Sequence, residues 1–154
     1  MTHLGVFDFQ DDGLATAHDV GIYRVADQSL MGWTTVPEGM IAPLLDGYRY
    51  APVIPFFLLP GSYVIVMRMP NSSPDAQRIL ASSVTTAPEI TWAGSAFSVN
   101  SSLAYPTLDG TTFNQGMFGP NFLFSPEPAT VPEPATSLLT AAGALYVALR
   151  RLRE

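Results

Sequence analysis

The chain has 154 residues, 47% hydrophobic and only 13% charged, with a net charge of −6. It contains neither cysteine nor lysine, which excludes a disulfide framework, a thiolate metal site and a cysteine nucleophile. Of its thirteen acidic side chains Glu133 and Glu154 lie beyond residue 131, so residues 1–131 carry eleven carboxylates against four arginines; so acidic a body is unsuited to nucleic acid, which selects a positive face, and to anionic lipid.

The 12 glycines and 14 prolines punctuate short apolar runs, the pattern of an all-β body. Residues 4–9 form the first predicted strand, and Gln10-Asp-Asp-Gly13 a turn. Residues 18–25 alternate, with Val20 and Ile22 on one face. In 30–36, Leu30, Gly32, Thr34 and Val36 oppose Met31, Trp33 and Thr35. Residues 47–57 are rich in aromatic and β-branched side chains, but Pro52 and Pro55 confine part of the run to an edge or bulge. Leu59-Pro-Gly61 is a sharp turn into 62–69, the clearest strand. It is expected to be central, with Val64 and Val66 on one face and Tyr63 and Ile65 on the other. Residues 70–88 read as loop with a short helix over 75–82. Residues 89–99 hold a strand or hairpin around Ile90, Trp92 and Phe97, 101–115 are irregular, and 119–124 form a last strand. A tyrosine soon after a Pro-Gly turn, opening an apolar strand as Tyr63 does, resembles the tyrosine corner of immunoglobulin-like domains. The expected fold is an antiparallel β-sandwich of the immunoglobulin/fibronectin-III type over residues 1–124.

Few side chains in this body suggest chemistry. Asp8, Asp11 and Asp12 around Gly13 could present oxygens to Ca²⁺, although Asp-Asp-Gly is a turn sequence in its own right and no glutamate closes an EF-hand. His3 and His18 are the only histidines, at a spacing that matches no zinc motif; a hydrogen bond to backbone is expected for His18. No nucleophile elbow or phosphate loop occurs, no catalytic residue is assigned, and the body is expected to be non-catalytic. Trp33, Trp92 and the tyrosines could form a sugar platform, with core packing the competing role.

Residues 125–136 are a proline-rich stem, extended and stiff. Within and after it come Pro132-Glu133-Pro134, a helix-capping Ser137, an uncharged run from Leu138 to Leu149, and Arg150, Arg151 and Arg153. The twelve uncharged residues span roughly 18 Å as a helix, against about 30 Å of hydrocarbon. Residues 135–152 reach roughly 27 Å if Arg150 and Arg151 snorkel. The arginines favour a cytoplasmic end. Residues 137–154 are thus expected to form one transmembrane helix with an Arg-rich tail.

Motif, span and arginine cluster, in this order at the C-terminus, resemble the PEP-CTERM sorting signal of Gram-negative bacteria. The resemblance implies recognition of Pro132, Glu133 and Pro134 by an exosortase, a membrane-embedded thiol transpeptidase. The series Leu4-Gly-Val-Phe-Asp, Asp12-Gly-Leu, His18-Asp-Val-Gly-Ile-Tyr, Pro60-Gly-Ser-Tyr-Val-Ile and Phe118-Gly-Pro-Asn-Phe is similar to the DUF4082 family of fibronectin-III-like modules, which implies a non-catalytic extracellular β-sandwich. A further strand normally precedes the first in such bodies. The first ten residues show no basic region, long apolar run or cleavage site, so a leader and a strand upstream of Met1 are expected, the alternative being a leaderless product. The expected role is that of an exported surface or matrix protein. Its precursor would sit in the inner membrane with the body periplasmic, and its mature form would be associated with exopolysaccharide. The alternative is a secreted carbohydrate-binding protein or carbohydrate-active enzyme with the same address.

Overall fold

The structure, a computed structural model, describes residues 1–70, 73–75, 77–79, 84–97, 102–109 and 116–126. It is mostly β. Strands β1 (His3–Phe7), β2 (His18–Arg24), β3 (Leu30–Val36), β4 (Leu44–Leu45), β5 (Tyr48–Pro52), β6 (Tyr63–Met67), β7 (Arg78–Ile79), β8 (Ala96–Phe97), β9 (Leu108–Asp109), β10 (Met117–Phe118) and β11 (Pro120–Leu123) follow in chain order. Two antiparallel sheets carry the architecture, in the orders β11-β1-β5-β4 and β3-β2-β6. Two small ladders, β10-β7 and β8-β9, complete the pairing among the described residues.

The sheets share one core because their side chains alternate. From β1 come Leu4 and Val6, from β5 Ala51, from β2 Val20 and Ile22, and from β3 Val36, all buried. On the opposite face of β1, a Cβ added at Gly5 would lie 2.6 Å from the Tyr50 ring. Glycine there lets the two strands close around a buried aromatic. Burial pushes the Tyr50 hydroxyl up to about 12, helped by the charges of Tyr48 and Asp46.

Strand β3 runs over the expected residues, but its alternation breaks. Ile22 pairs with Gly32 and Tyr23 with Leu30, so the register shifts between them. The bulge at Met31 reverses the facing of the residues N-terminal to Gly32. Met31 packs on the core, and Leu30, expected to share a face with Val36, is 43% exposed where Val36 is buried. In β6, Tyr63, Ile65 and Met67 pack on the core, as their parity requires. The strand is not central, however: β2 holds the middle of its sheet and β6 lies beside it at the edge. The short helix expected over 75–82 is also corrected. Arg78 and Ile79 are extended and pair with Phe118 and Met117, a long-range pairing that overrides local helix preference.

The turn before β6 is closed as expected. The Tyr63 hydroxyl donates to the Leu59 carbonyl at 2.8 Å. Beyond Pro52, Phe56 and Leu58 turn inward onto the core, and Phe56 occupies the space that a side chain at Gly32 would need. The sorting motif Pro132, Glu133 and Pro134, the transmembrane helix and tail expected over 137–154 and the cluster Arg150, Arg151 and Arg153 lie outside the described residues. Among the described residues, no helix is long and apolar enough to cross a membrane.

Two substitutions measure these contacts by denaturant unfolding. Ile22→Ala, which removes a side chain buried between the sheets, is expected to cost about 2–5 kcal/mol. Tyr63→Phe removes one partly solvated hydrogen bond and is expected to cost about 0.5–1.5 kcal/mol.

Candidate functional site

Asp8, Asp11, Asp12 and His18 lie at one end of the two sheets, and His3 does not. Strand β1 ends there at Phe7 and β2 begins there at His18. The connection between them is pinned by Leu14, whose backbone exchanges hydrogen bonds with Gly39 at 3.2 and 2.6 Å. Gly13 sits at φ 104°, and a Cβ added there would lie 3.0 Å from the Gly39 carbonyl carbon, a conformation and a closeness that favour glycine.

Asp8 continues the inward parity of Leu4 and Val6, and Arg49 lies opposite Val6 on β5. Both side chains are buried. Arg49 Nε donates to Asp8 Oδ2 at 2.7 Å, and the Gly13 amide donates to both carboxylate oxygens at 3.1 Å. The rest of the guanidinium is spent on backbone. Nη1 donates to Ala42 O at 3.0 Å and Met40 O at 3.3 Å, and Nη2 to Asp11 O at 3.3 Å. One arginine thereby ties the first turn to the loop after β3. Asp11 and Asp12 point to solvent instead. The three carboxylates considered for Ca²⁺ are not brought together, because Asp8 faces inward with its charge already met by Arg49. Among the described residues no three His, Asp or Glu side chains form a group that could hold a metal ion.

His18 is fully buried. Its Nδ1 lies 3.1 Å from Arg68 O, the backbone partner expected for it, and its Nε2 lies 2.8 Å from Asp75 Oδ2. Both ring nitrogens thus face oxygens, one of backbone and one of a carboxylate, which fixes the ring from two sides. Asp75 also accepts from Ala15 N at 2.8 Å, Thr16 N at 3.1 Å, Thr16 Oγ1 at 3.1 Å and Ser73 Oγ at 2.9 Å. Burial opposes its charge, but these donors outweigh burial and hold the carboxyl at about 2. Serine, histidine and aspartate thus meet here, but the carboxylate stands between the other two. Ser73 donates to Asp75 and has no basic nitrogen to take its proton, so the arrangement clasps a loop and does not activate a nucleophile.

Between the two clusters lies a shallow cleft of about 240 Å³, bordered by Asp8, Phe9, Asp12, Ala15 and Asp75 among others. His3, the other histidine, is on β1 far from this end, and its Nδ1 is buried without a hydrogen-bond partner among the described residues. The tryptophans differ in setting. Trp33 is 55% exposed on β3, so core packing does not account for it, whereas Trp92 packs its ring 6.2 Å from that of Phe118. Sequence reasoning missed Arg49 and Asp75, the two partners that organise this end. A lone arginine at an inward position of an aromatic strand, Tyr48-Arg-Tyr-Ala51, was the available signal for the first. Asp75 carried none, because its loop has no periodicity. No protein-family model, no curated protein and no solved structure matches the chain.

Removing one member of the buried pair strands the other. Arg49→Met is expected to cost about 3–5 kcal/mol of unfolding free energy, and the double change Asp8→Leu with Arg49→Met distinctly less. Asp75 is held below its unfolded value, so its contribution to stability is complete above about pH 4 and is lost as pH falls toward 2. Asp75→Asn should flatten that part of an acid-unfolding profile followed by circular dichroism.

Proposed function

We propose that the chain is a non-catalytic surface or matrix protein of a Gram-negative bacterium, exported and then sorted by exosortase. In this reading the two-sheet body is an immunoglobulin/fibronectin-III-like β-sandwich. The carrying observation is the order of the C-terminal residues: Pro132-Glu133-Pro134, then the uncharged run from Leu138 to Leu149, then Arg150, Arg151 and Arg153. The apolar segment holds the precursor in the inner membrane, with the arginines in the cytoplasm and the body in the periplasm. The paired prolines keep the motif extended at the membrane boundary, where a transpeptidase can grip its backbone. Cleavage near the motif releases the body to the cell surface or the extracellular polysaccharide.

Two structural observations support the body's part of this reading. The Tyr63–Leu59 hydrogen bond has the form of a tyrosine corner. The clusters around Asp8 and His18 are closed upon themselves, which suits a structural module. The exposed Trp33 favours a second reading, in which the same exported body binds carbohydrate. Loss of polysaccharide retention in Trp33→Ala, with unchanged unfolding, would select it.

The sorting step is read by mass spectrometry of the mature C-terminus, in hosts with and without exosortase, on the chain fused behind a working signal peptide. Replacing Pro132, Glu133 and Pro134 by alanine is expected to leave an uncleaved, membrane-held precursor. Recovery of secreted protein with Arg153-Glu154 intact from the exosortase-positive host would overturn the reading.

A further inference from the structure

The two ends of the body differ in chemistry, and the chain leaves the body from one of them. Strand β11 runs antiparallel to β1, with Leu123 opposite His3, so residues 124–126 emerge at the end opposite Asp8 and His18. The loop after β5 lies at the same end: Val53 N donates to Thr2 O at 3.1 Å, and Thr2 N to Leu123 O at 3.0 Å. This loop reads Val53-Ile-Pro-Phe-Phe-Leu-Leu-Pro60. Phe56 and Leu58 pack inward, while Ile54, Phe57 and Leu59 project with 88%, 67% and 73% of their surface exposed.

Three features set this loop apart from scattered surface hydrophobics. It lies within a stretch from Tyr50 to Met67 without one charged residue, in a body carrying eleven carboxylates. It is held in shape, by Phe56 against β3 at one side and by the Tyr63–Leu59 hydrogen bond at the other. The charges at this end have partners: the amino group of Met1 donates to the Phe56 carbonyl at 2.9 Å, and Arg24 and Asp27 pair with each other, whereas the exposed Asp11, Asp12, Glu38 and Asp46 stand at the opposite end.

We propose that the loop tip formed by Ile54, Phe57 and Leu59 seats on the surface of the lipid bilayer and fixes the orientation of the body in the membrane-held precursor. The inference rests on the sorting reading, because it is the tail that brings this end to the membrane. Only seven residues lie between Pro126 and Pro134, and the eight backbone steps reach no more than roughly 28 Å. So short a tether makes the contact intramolecular, at an effective concentration in the millimolar range, so that weak apolar insertion suffices. A second exposed apolar group, Met40 and Ile41 with Leu44 and Leu45, is flanked by Glu38 and Asp46 and faces away from the membrane in this orientation.

The absence of native cysteine makes the test direct. The full chain is reconstituted in phosphatidylcholine vesicles whose acyl chains carry a quencher, with a single environment-sensitive fluorophore on Phe57→Cys, Ile41→Cys or Ala144→Cys. The expected result is blue-shifted, strongly quenched emission from positions 57 and 144, and aqueous, unquenched emission from position 41. Quenching at 144 without quenching at 57 overturns the loop contact and leaves the tail reading standing. Quenching at 57 without 144 supports the loop contact and removes the tail as its cause. Quenching at 41 in place of 57, or at none of the three, overturns the proposal. In Ile54→Ser with Leu59→Ser, the signal from position 57 should turn aqueous while the protein unfolds at the same denaturant concentration.

Discussion

Burying Asp8 and Arg49 at the floor of the core obliges the surrounding chain to replace every hydrogen bond that water would have given them. The loop architecture of that end is the result. The guanidinium draws in the carbonyls of Met40, Ala42 and Asp11, the carboxylate draws in the amide of Gly13, and Leu14 is brought beside Gly39. The second sheet meets the same obligation at His18. Its solution reaches across to Arg68 and Asp75 and anchors the chain after β6. Two polar clasps therefore close one end of an otherwise apolar core, and aromatic and aliphatic side chains close the other.

How much of this was legible depended on whether the signal was local. The limits of β3 were, because its seven residues lie between the turn-forming Asp27-Gln-Ser29 and Pro37. The inward side of β3 was not, since the bulge at Met31 depends on pairing with β2 and leaves no mark in β3 alone. Strand β4 has two residues, too few for any period, and exists because Leu44 and Leu45 meet Arg49 and Tyr48. Arg78 and Ile79 find their state only through Met117 and Phe118. The edge position of β6 was hidden by composition. Tyr-Val-Ile-Val-Met reads as a buried central strand, yet its residues are only half-buried.

The candidate site divides in the same way. The backbone hydrogen bond of His18 was legible, and its burial follows from the parity it shares with Val20 and Ile22. The acidic group at residues 8–12 was legible as a turn, but the separate fate of Asp8 was not. Its inward direction comes from counting along β1, and its partner lies 41 residues away. The tail shows the converse: its reading is carried wholly by sequence order and needs no fold.

Strand β1 is flanked on one side by β5 and on the other by β11, and Thr2 meets Leu123 across a separation of 121 residues. Strand β1 thus waits for a partner strand made much later along the chain. Until then it stands with one open edge, and its sheet cannot close. Closure over so long a loop is slow, on the scale of milliseconds to seconds, and the apolar partial sheet is exposed to wrong pairings meanwhile. The order of synthesis and the order of the sheet are opposed, so this sheet closes only once residues 120–123 have been made.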